Sequence, residues 1–566
     1  MSLAELERAV DEAWPRAQAR WSSFLSLRKP RLCVDEPGPP SVAWIDLATR
    51  QIGLDAKAID DKRLASSVEA LLSHEIGHHV RYPGSLGVQA RLRLLERTLL
   101  PIEGYSVVNL FTDLMINERL GHDLQEELCQ VYRAFTSHAV DTEPEEGKRG
   151  WGADPAFAFY LAIYEELWRR LPGELMGRAR EGFEEAHPGY RADAHVLSQD
   201  LFRMGPNLYT QFLYFVSIVS RYVKPLVGEK PEGRDPIACR GGEPTPEDWA
   251  DALMPSAAER EAVERALREG WISKELGDRL TSEPLERRIG ALPGQGTDDA
   301  ERVPEIMAAY YRREAERYLL KPPPVRQLGE AVVPTTLEDW ELGDAPHAID
   351  WLATLVTRGA ELGKVAPLVR ERIADYEGHE VPLWQPRTEI YLDVSGSMPD
   401  PRMTLNAMTL AAQILTVGTL RAGGWARALL YSSDFVRYWT YCRSEVEISR
   451  FLMHYIGGGT SFPFGVLAES LDEEAGRQPI RVVISDRDFD HNYSERPEHA
   501  HTFARAADLS SRLVLLLHAP DPEAVSRYRA AGASVVEVME MDDFPRMAAA
   551  LSAALFDGPR GAGGMA

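Results

Sequence analysis

The sequence predicts a multidomain chain, mainly α-helical in its N-terminal region and an α/β doubly wound, Rossmann-like domain at its C-terminal end. Three observations lead there. The chain has 566 residues, too many for one hydrophobic core. Its first 222 or so residues carry long apolar runs of helical period. From about residue 386, short apolar runs alternate with amphipathic ones, the signature of a parallel sheet wrapped by helices.

Taken in order, the N-terminal helices are SSVEALLSHEIGHHV, YSVVNLFTDLMINERL, PAFAFYLAIYEELWRRL and YTQFLYFVSIVSRYV, each too apolar to stand exposed. Residues 41–55, SVAWIDLATRQIGLD, read as two strands and a turn. KPLVGEKPEGRDPIACRGGEPTPED, residues 224–248, is rich in Pro and Gly and reads as a linker. A helical piece follows, AAEREAVERALREGWISKELGDRL, then a second link, PGQGTDDAERVPE (293–305). The helix EIMAAYYRREAERYLL runs into KPPPV, which forces an extended path. WELGDAPHAIDW, residues 340–351, mixes tryptophans with acids and suggests no chemistry of its own.

In the last part, strands TEIYLDVS, WARALLYSS, IRVVISD, RLVLLLHA and ASVVEVME alternate with helices MTLNAMTLAAQILTVG, FGVLAESLDEEAG, AHTFARAADLSS, DPEAVSRYRAAG and FPRMAAALSAALF. The expected divisions are 1–223, 224–385 (linker and connecting helices) and 386–560. No internal repeat is visible.

The formal net charge of −24 repels nucleic acid and anionic membrane, so neither is an expected partner. Four scattered cysteines, Cys33, Cys129, Cys239 and Cys442, form no CxxC pair and argue against a disulfide framework or a thiolate zinc site. The acidic, amphipathic start MSLAELERAVDEAWPRAQ is no signal peptide, and no run of eighteen apolar residues predicts a membrane span. A cytoplasmic location is expected.

Two constellations carry chemistry. In SHEIGHHVRY, His74 and His78 stand four apart, on one helix face, and can turn two imidazoles onto one ion. Glu75 is placed to act as general base on the water that such an ion activates, the H-E-x-x-H arrangement. A catalytic zinc site needs a third protein ligand. The helix SVVNLFTDLMINERL is apolar all round, yet holds Asp113 and Asn117 four apart. A carboxylate in such a place needs a counter-charge, which makes Asp113 the expected third ligand. Glu118 is the alternative, with Glu103 and His79 behind it. Asn109 and Asn117 are candidates to orient ligands or to cap helices. Arg81 and Tyr82 are candidates to stabilise an oxyanion or to serve as plain surface.

In the second constellation, a strand runs into DVSGSM. Asp393, Ser395 and Ser397 present one carboxylate and two hydroxyls at alternating positions, a hard oxygen cradle for Mg²⁺ or Ca²⁺. Thr460, in GGGTSF, and Asp486, at the end of IRVVIS, complete it from later loops. All sit where a doubly wound sheet binds ligands. SDRDFDHN imitates the start of an EF-hand, but His491 stands where glycine is needed and Pro497 where the bidentate glutamate belongs. Asp488 and Asp490 are expected to add negative charge to the rim. No phosphate-binding P-loop occurs, so any ATP-driven step needs another protein.

HEIGH, with about fifty residues around it, resembles the zincin metallopeptidases. It lacks the HExxHxxGxxH continuation, and its TDLMIN helix is similar to predicted bacterial metallopeptidases that place an aspartate there. The order D-x-S-x-S, Thr, Asp over about 170 residues resembles the von Willebrand factor A domain with its metal-ion-dependent adhesion site. That family usually has Gly after the last aspartate, where this chain has Arg487. The combination resembles bacterial metallopeptidases with a C-terminal von Willebrand A-like domain. It implies Zn²⁺ at the first site, Mg²⁺ or Ca²⁺ at the second, a peptide or protein substrate, and a protein partner such as a MoxR-type AAA+ ATPase. The alternative is a non-catalytic adaptor that couples a AAA+ ATPase to a client, as chelatase subunits do. A weaker third reading is metal-assisted hydrolysis of a small molecule.

Overall fold

The computed structural model describes residues 3–34, 41–100, 106–141, 155–177, 179–223, 243–281, 286–292, 302–319, 332–341, 344–358, 365–374, 385–474 and 476–556. The chain divides into two units. One comprises Met1–Glu314 with Gly396–Thr409 and Ser449–Gly457, and the other Ala315–Ser395, Leu410–Ile448 and Gly458–Ala566. Most of the first expected linker, most of the second and the KPPPV segment lie outside the described residues.

The first unit is helical around one small sheet. Strands β1 (Arg31–Cys33), β2 (Ala43–Asp46) and β3 (Gln51–Asp55) lie in the order β1-β3-β2. The expected strand pair is present: β2 runs antiparallel to β3, with Ala43 opposite Leu54. The third strand, β1, parallel to β3, is a short apolar patch that periodicity did not mark.

The helix Val68–Val80 carries HEIGH and is buried over Ala70–His78. It is wedged between the helix Leu3–Trp21, the helix Val108–Asp141 and the small sheet. Gly77 makes this possible. A Cβ there would meet Trp21 Cζ2 at 2.7 Å and Ile116 Cγ2 at 2.8 Å, so only glycine permits the approach. The first helix is pinned by Arg16 and Arg20, both bonded to Glu69 at 2.6–2.8 Å, and by Trp21 Nε1, which donates to Ser73 O at 2.7 Å. Two apolar helices, Pro155–Leu167 and Leu208–Val219, extend the same core. The expected single helix after residue 256 is two, Ala257–Arg268 and Lys274–Thr281, broken where Gly270 adopts φ +73°.

The second unit contains the doubly wound sheet. Its strands are β6 (Arg387–Asp393), β7 (Trp425–Tyr431), β8 (Phe435–Cys442), β9 (Ile480–Ser485), β10 (Arg512–His518) and β11 (Ser534–Val538), after an antiparallel hairpin of β4 (Val332–Asp339) and β5 (Leu368–Ala374). The order is β11-β10-β9-β6-β7-β8. All five expected strands are present and parallel. The structure adds β8, an antiparallel edge strand, and the hairpin around the Trp-acid segment. The edge strand β8, FVRYWTYC, escaped notice because it is largely exposed and lacks a continuous apolar run.

The central strands are not purely apolar. Glu389, Arg427 and Arg481 are all buried: Glu389 accepts from Arg427 at 2.7 Å, Arg481 at 2.9 Å and Ser470 at 2.7 Å. Burial alone would raise the Glu389 pKa, but the two guanidiniums and the hydroxyl outweigh it and hold the carboxylate ionised.

Candidate metal centres

At the first site the HEIGH helix presents His74 and His78 on the face turned to the helix Val108–Asp141. Their Nε2 atoms are 3.1 Å apart. Asp113 Oδ1 lies 3.5 Å from His74 Nε2 and 3.1 Å from His78 Nε2. Ligands of a tetrahedral zinc at 2.0–2.1 Å stand about 3.3–3.4 Å from one another, so the three atoms already have the spacing of three corners. Among the described residues this is the one cluster of three such groups. Glu118 and His79 are both half-buried, and neither belongs to it. Glu103 lies outside the described residues.

The outer atoms of both imidazoles are bonded. His74 Nδ1 donates to Asn117 Oδ1 at 2.7 Å, and His78 Nδ1 donates to the Tyr82 carbonyl at 2.8 Å. With the protons on Nδ1, both Nε2 lone pairs face each other and a carboxylate oxygen. Three electron-rich atoms this close repel unless a metal ion or a shared proton sits among them. The Tyr82 backbone thus holds the His78 ring, and the Arg81 guanidinium lies over the Tyr82 ring at 5.4 Å.

The site is buried: His74, Glu75, His78 and Asn117 are 0% exposed and Asp113 2%. Burial opposes protonation of His74, yet the facing Asp113 carboxylate lifts it to about 9. Burial raises Asp113 too, but the two imidazoles outweigh it and bring it below the usual carboxylate range. Glu75 is pushed up to about 8, chiefly by burial. Neither of its oxygens has a well-aligned hydrogen bond among the described residues; the backbone of Ile45 on β2 comes near enough to favour its charged form. A buried, ionisable, unsatisfied carboxylate beside two converging imidazoles fits a divalent cation with N and O donors.

The second site stands at the carboxyl ends of β6 and β9, which are adjacent in the sheet. Asp393 and Ser395 are buried, and Ser395 N donates to Asp393 Oδ1 at 2.9 Å. Ser485 Oγ donates to Asp393 Oδ2 at 2.7 Å. Asp486, 8% exposed, accepts from Asp488 N at 2.9 Å. Burial raises the Asp393 pKa and the charge of Asp486 adds to the rise. A buried carboxylate beside a second one suits a hard cation with oxygen ligands. Ser397 is exposed on the loop that follows, and Thr460 is half-buried.

Three groups that sequence reasoning missed complete this end of the sheet. Asn492 ties the Thr460 loop to the Asp486 segment: its Nδ2 donates to Thr460 O at 3.1 Å and to Asp488 O at 3.0 Å, and its Oδ1 accepts from Phe462 N at 3.1 Å. Tyr431, opposite Asp393 in the β6–β7 register, buries a phenol beside Ser485 and the charge of Asp393. Ser485 immediately precedes a predicted ligand but looked like strand. The expectation for Asp490 needs correction. It is bonded to Arg527 at 2.8 and 3.0 Å and to Tyr528 at 3.0 Å, so its charge is neutralised and the rim gains only the exposed Asp488.

No protein-family model matches the chain, and no curated protein matches it. Among solved structures it is similar to a von Willebrand factor type A protein from Catenulispora acidiphila, at 14% identity over 33% of this chain and TM-score 0.23. The chain spans 44% of the length of that protein. It is also similar to an aerotolerance-related membrane protein from Bacteroides fragilis NCTC 9343, at 14% identity, 28% of this chain, 95% of that one and TM-score 0.21. A third is the conserved hypothetical protein BatB from Bacteroides thetaiotaomicron, at 12% identity, 30% of this chain, 98% of that one and TM-score 0.23. Superpositions this loose carry no argument about function. Among the described residues no helix is long and apolar enough to cross a membrane.

Proposed function

We propose that this protein is a zinc-dependent metallopeptidase whose C-terminal von Willebrand A-like domain holds Mg²⁺ or Ca²⁺ and engages a protein partner in the cytoplasm. The observation that carries the reading is the convergence of His74 Nε2, His78 Nε2 and Asp113 Oδ1 at 3.1–3.5 Å beside the unsatisfied carboxylate of Glu75. When bound, zinc supplies Lewis acidity toward a carbonyl and makes water acidic. Glu75 takes the proton of the attacking water and returns it to the leaving amine. Its raised pKa suits a group that must both accept and give a proton near neutrality. Asn117 and the Tyr82 carbonyl hold the two imidazoles in the ligating tautomer.

At the other site, Asp393, Ser395, Ser397, Thr460 and Asp486 hold the second cation, leaving a position for an acidic group of the partner. A MoxR-type AAA+ ATPase is the partner that the family resemblance implies.

The test is Glu75→Gln. Under this reading the variant keeps one zinc per chain and loses peptide-bond hydrolysis of a quenched peptide library, assayed with and without a AAA+ ATPase. A second reading, the non-catalytic adaptor, is favoured by the complete burial of His74, Glu75 and His78 among the described residues. In that case wild type and Glu75→Gln are alike in every assay.

A further inference from the structure

Between β4 and β5 the chain forms the helix Trp351–Arg358. This helix is turned inside out. It meets β5 through a polar residue: Thr354, 2% exposed, donates from Oγ1 to Asp350 O at 2.7 Å and accepts from Leu368 N at 2.9 Å. Its large apolar residues face away. Trp351 is 54% exposed, Leu352 74%, Leu355 54% and Val356 80%. At about 100° per residue these four share one stripe, on the side opposite Thr354. Residues 351–357 carry no charge, in a chain of which 27% of residues are charged. A helix that serves only as surface has the reverse arrangement, apolar stripe inward and charges outward.

The stripe exposes apolar surface on the order of 500 Å², the size of patch that marks an interaction site. Its own chemistry suits a second copy of the chain. Two such helices packed antiparallel about a two-fold axis set Trp351 against Val356 and Leu352 against Leu355. The largest side chain then meets the smallest, and every residue of the stripe has a counterpart. The ends match too. Asp350 stands just before the first turn, and Arg358, bonded to Asp339, closes the last. Antiparallel packing brings each acid toward the other copy's base and opposes the two helix dipoles. The two stripes together bury about 1,000 Å², the lower bound for a specific interface. At a net charge of −24, two copies repel over most of their surface, and an uncharged stripe is where they can touch.

We infer that this face is a dimer interface: the helix Trp351–Arg358 pairs antiparallel with the same helix of a second chain, through Trp351, Leu352, Leu355 and Val356. The inference depends on neither metal-site reading. The experiment is sedimentation velocity of the full-length protein from about 1 to 100 μM, the range of a small interface. The samples are wild type, Leu352→Asp, Leu355→Lys and an equimolar mixture of the two variants. Far-UV circular dichroism checks that each variant is folded, which substitution at exposed positions permits.

Wild type should pass from monomer to dimer across that range. Leu352→Asp buries a carboxylate against Leu355 of the other copy, twice per dimer, and should raise the dissociation constant at least about 100-fold. Leu355→Lys should do the same with a charge of the opposite sign. In the mixture the carboxylate of one variant faces the ammonium of the other, so dimers should return where neither variant forms them alone. A wild type that stays monomeric at the highest concentration overturns the inference; the stripe then belongs to another protein or to another part of this chain. Dimers that survive Leu352→Asp overturn it as well, because they form elsewhere. So does a mixture that stays monomeric, because the antiparallel pairing is what sets position 352 of one copy against position 355 of the other.

Discussion

The Nε2 atoms of His74 and His78 stand 3.1 Å apart, and each ring has already used its Nδ1 in a hydrogen bond. Two imidazoles so arranged present lone pairs to the same point, and Asp113 adds a carboxylate oxygen. Wild-type protein should therefore retain about one zinc per chain. Asp113→Ala and His74→Ala should each lose it, while Glu118→Gln keeps it. Metal content by mass spectrometry on purified protein checks this; zinc retained in Asp113→Ala would move the third ligand elsewhere.

Gly77 lies between the two histidine-bearing turns of the same helix. Gly77→Ala puts a methyl group into Trp21 and Ile116. We expect a loss of about 1–3 kcal/mol in urea unfolding, the usual cost of overpacking. The displaced helix should also bind zinc more weakly. An alanine variant of unchanged stability and zinc affinity would show that the helices can part without consequence.

Glu389 faces two buried guanidiniums. Glu389→Ala leaves both without their common partner and should cost about 3–5 kcal/mol, far more than Arg437→Ala at an exposed pair. Chemical denaturation of the two variants compares them directly. Similar midpoints would mean that water or a shifted side chain compensates.

Glu96 caps the start of the helix Val108–Asp141, accepting from Ser106 Oγ at 3.0 Å and from the amides of Val107 and Val108. Burial nevertheless lifts its pKa to about 7. The folded state then holds the proton more tightly than the unfolded chain, whose carboxyl titrates near about 4.3. This contribution to stability is complete below about pH 4 and falls as pH rises to about 7, then stays level. The wild-type minus Glu96→Gln difference in unfolding free energy should decline across that window. A difference that grows with pH would mean that the three hydrogen bonds outweigh burial.

Asn492 binds the Thr460 loop to the Asp486 segment. Asn492→Ala should lower Mg²⁺ affinity about tenfold by freeing that loop, whereas Asp393→Ala removes binding. Calorimetric titration with Mg²⁺ reads both. Equal affinity in wild type and Asn492→Ala would show that the loop holds its place alone.

Sequence by itself determined what local rules determine. Helical period placed the HEIGH helix and its apolar partners, and the alternation of apolar strands with amphipathic helices placed the five parallel strands. Spacing put His74 and His78 on one face, and an acid in an all-round apolar helix marked Asp113. Tertiary structure decided what depends on distant segments meeting. Tyr132, Tyr160 and Tyr164 read as core aromatics until two helices bring their hydroxyls around Asn117. Asn492 gains its role because two loops converge on it, and Asp490 loses one because Arg527, 37 residues away, takes its charge. The edge strand β8 escaped because an exposed strand needs only one partner, not a continuous apolar run. Hydrogen bonds and ion pairs act over a few ångströms of space and are indifferent to separation along the chain. Residue spacing reports which side chains share a face, and only packing reports what that face meets.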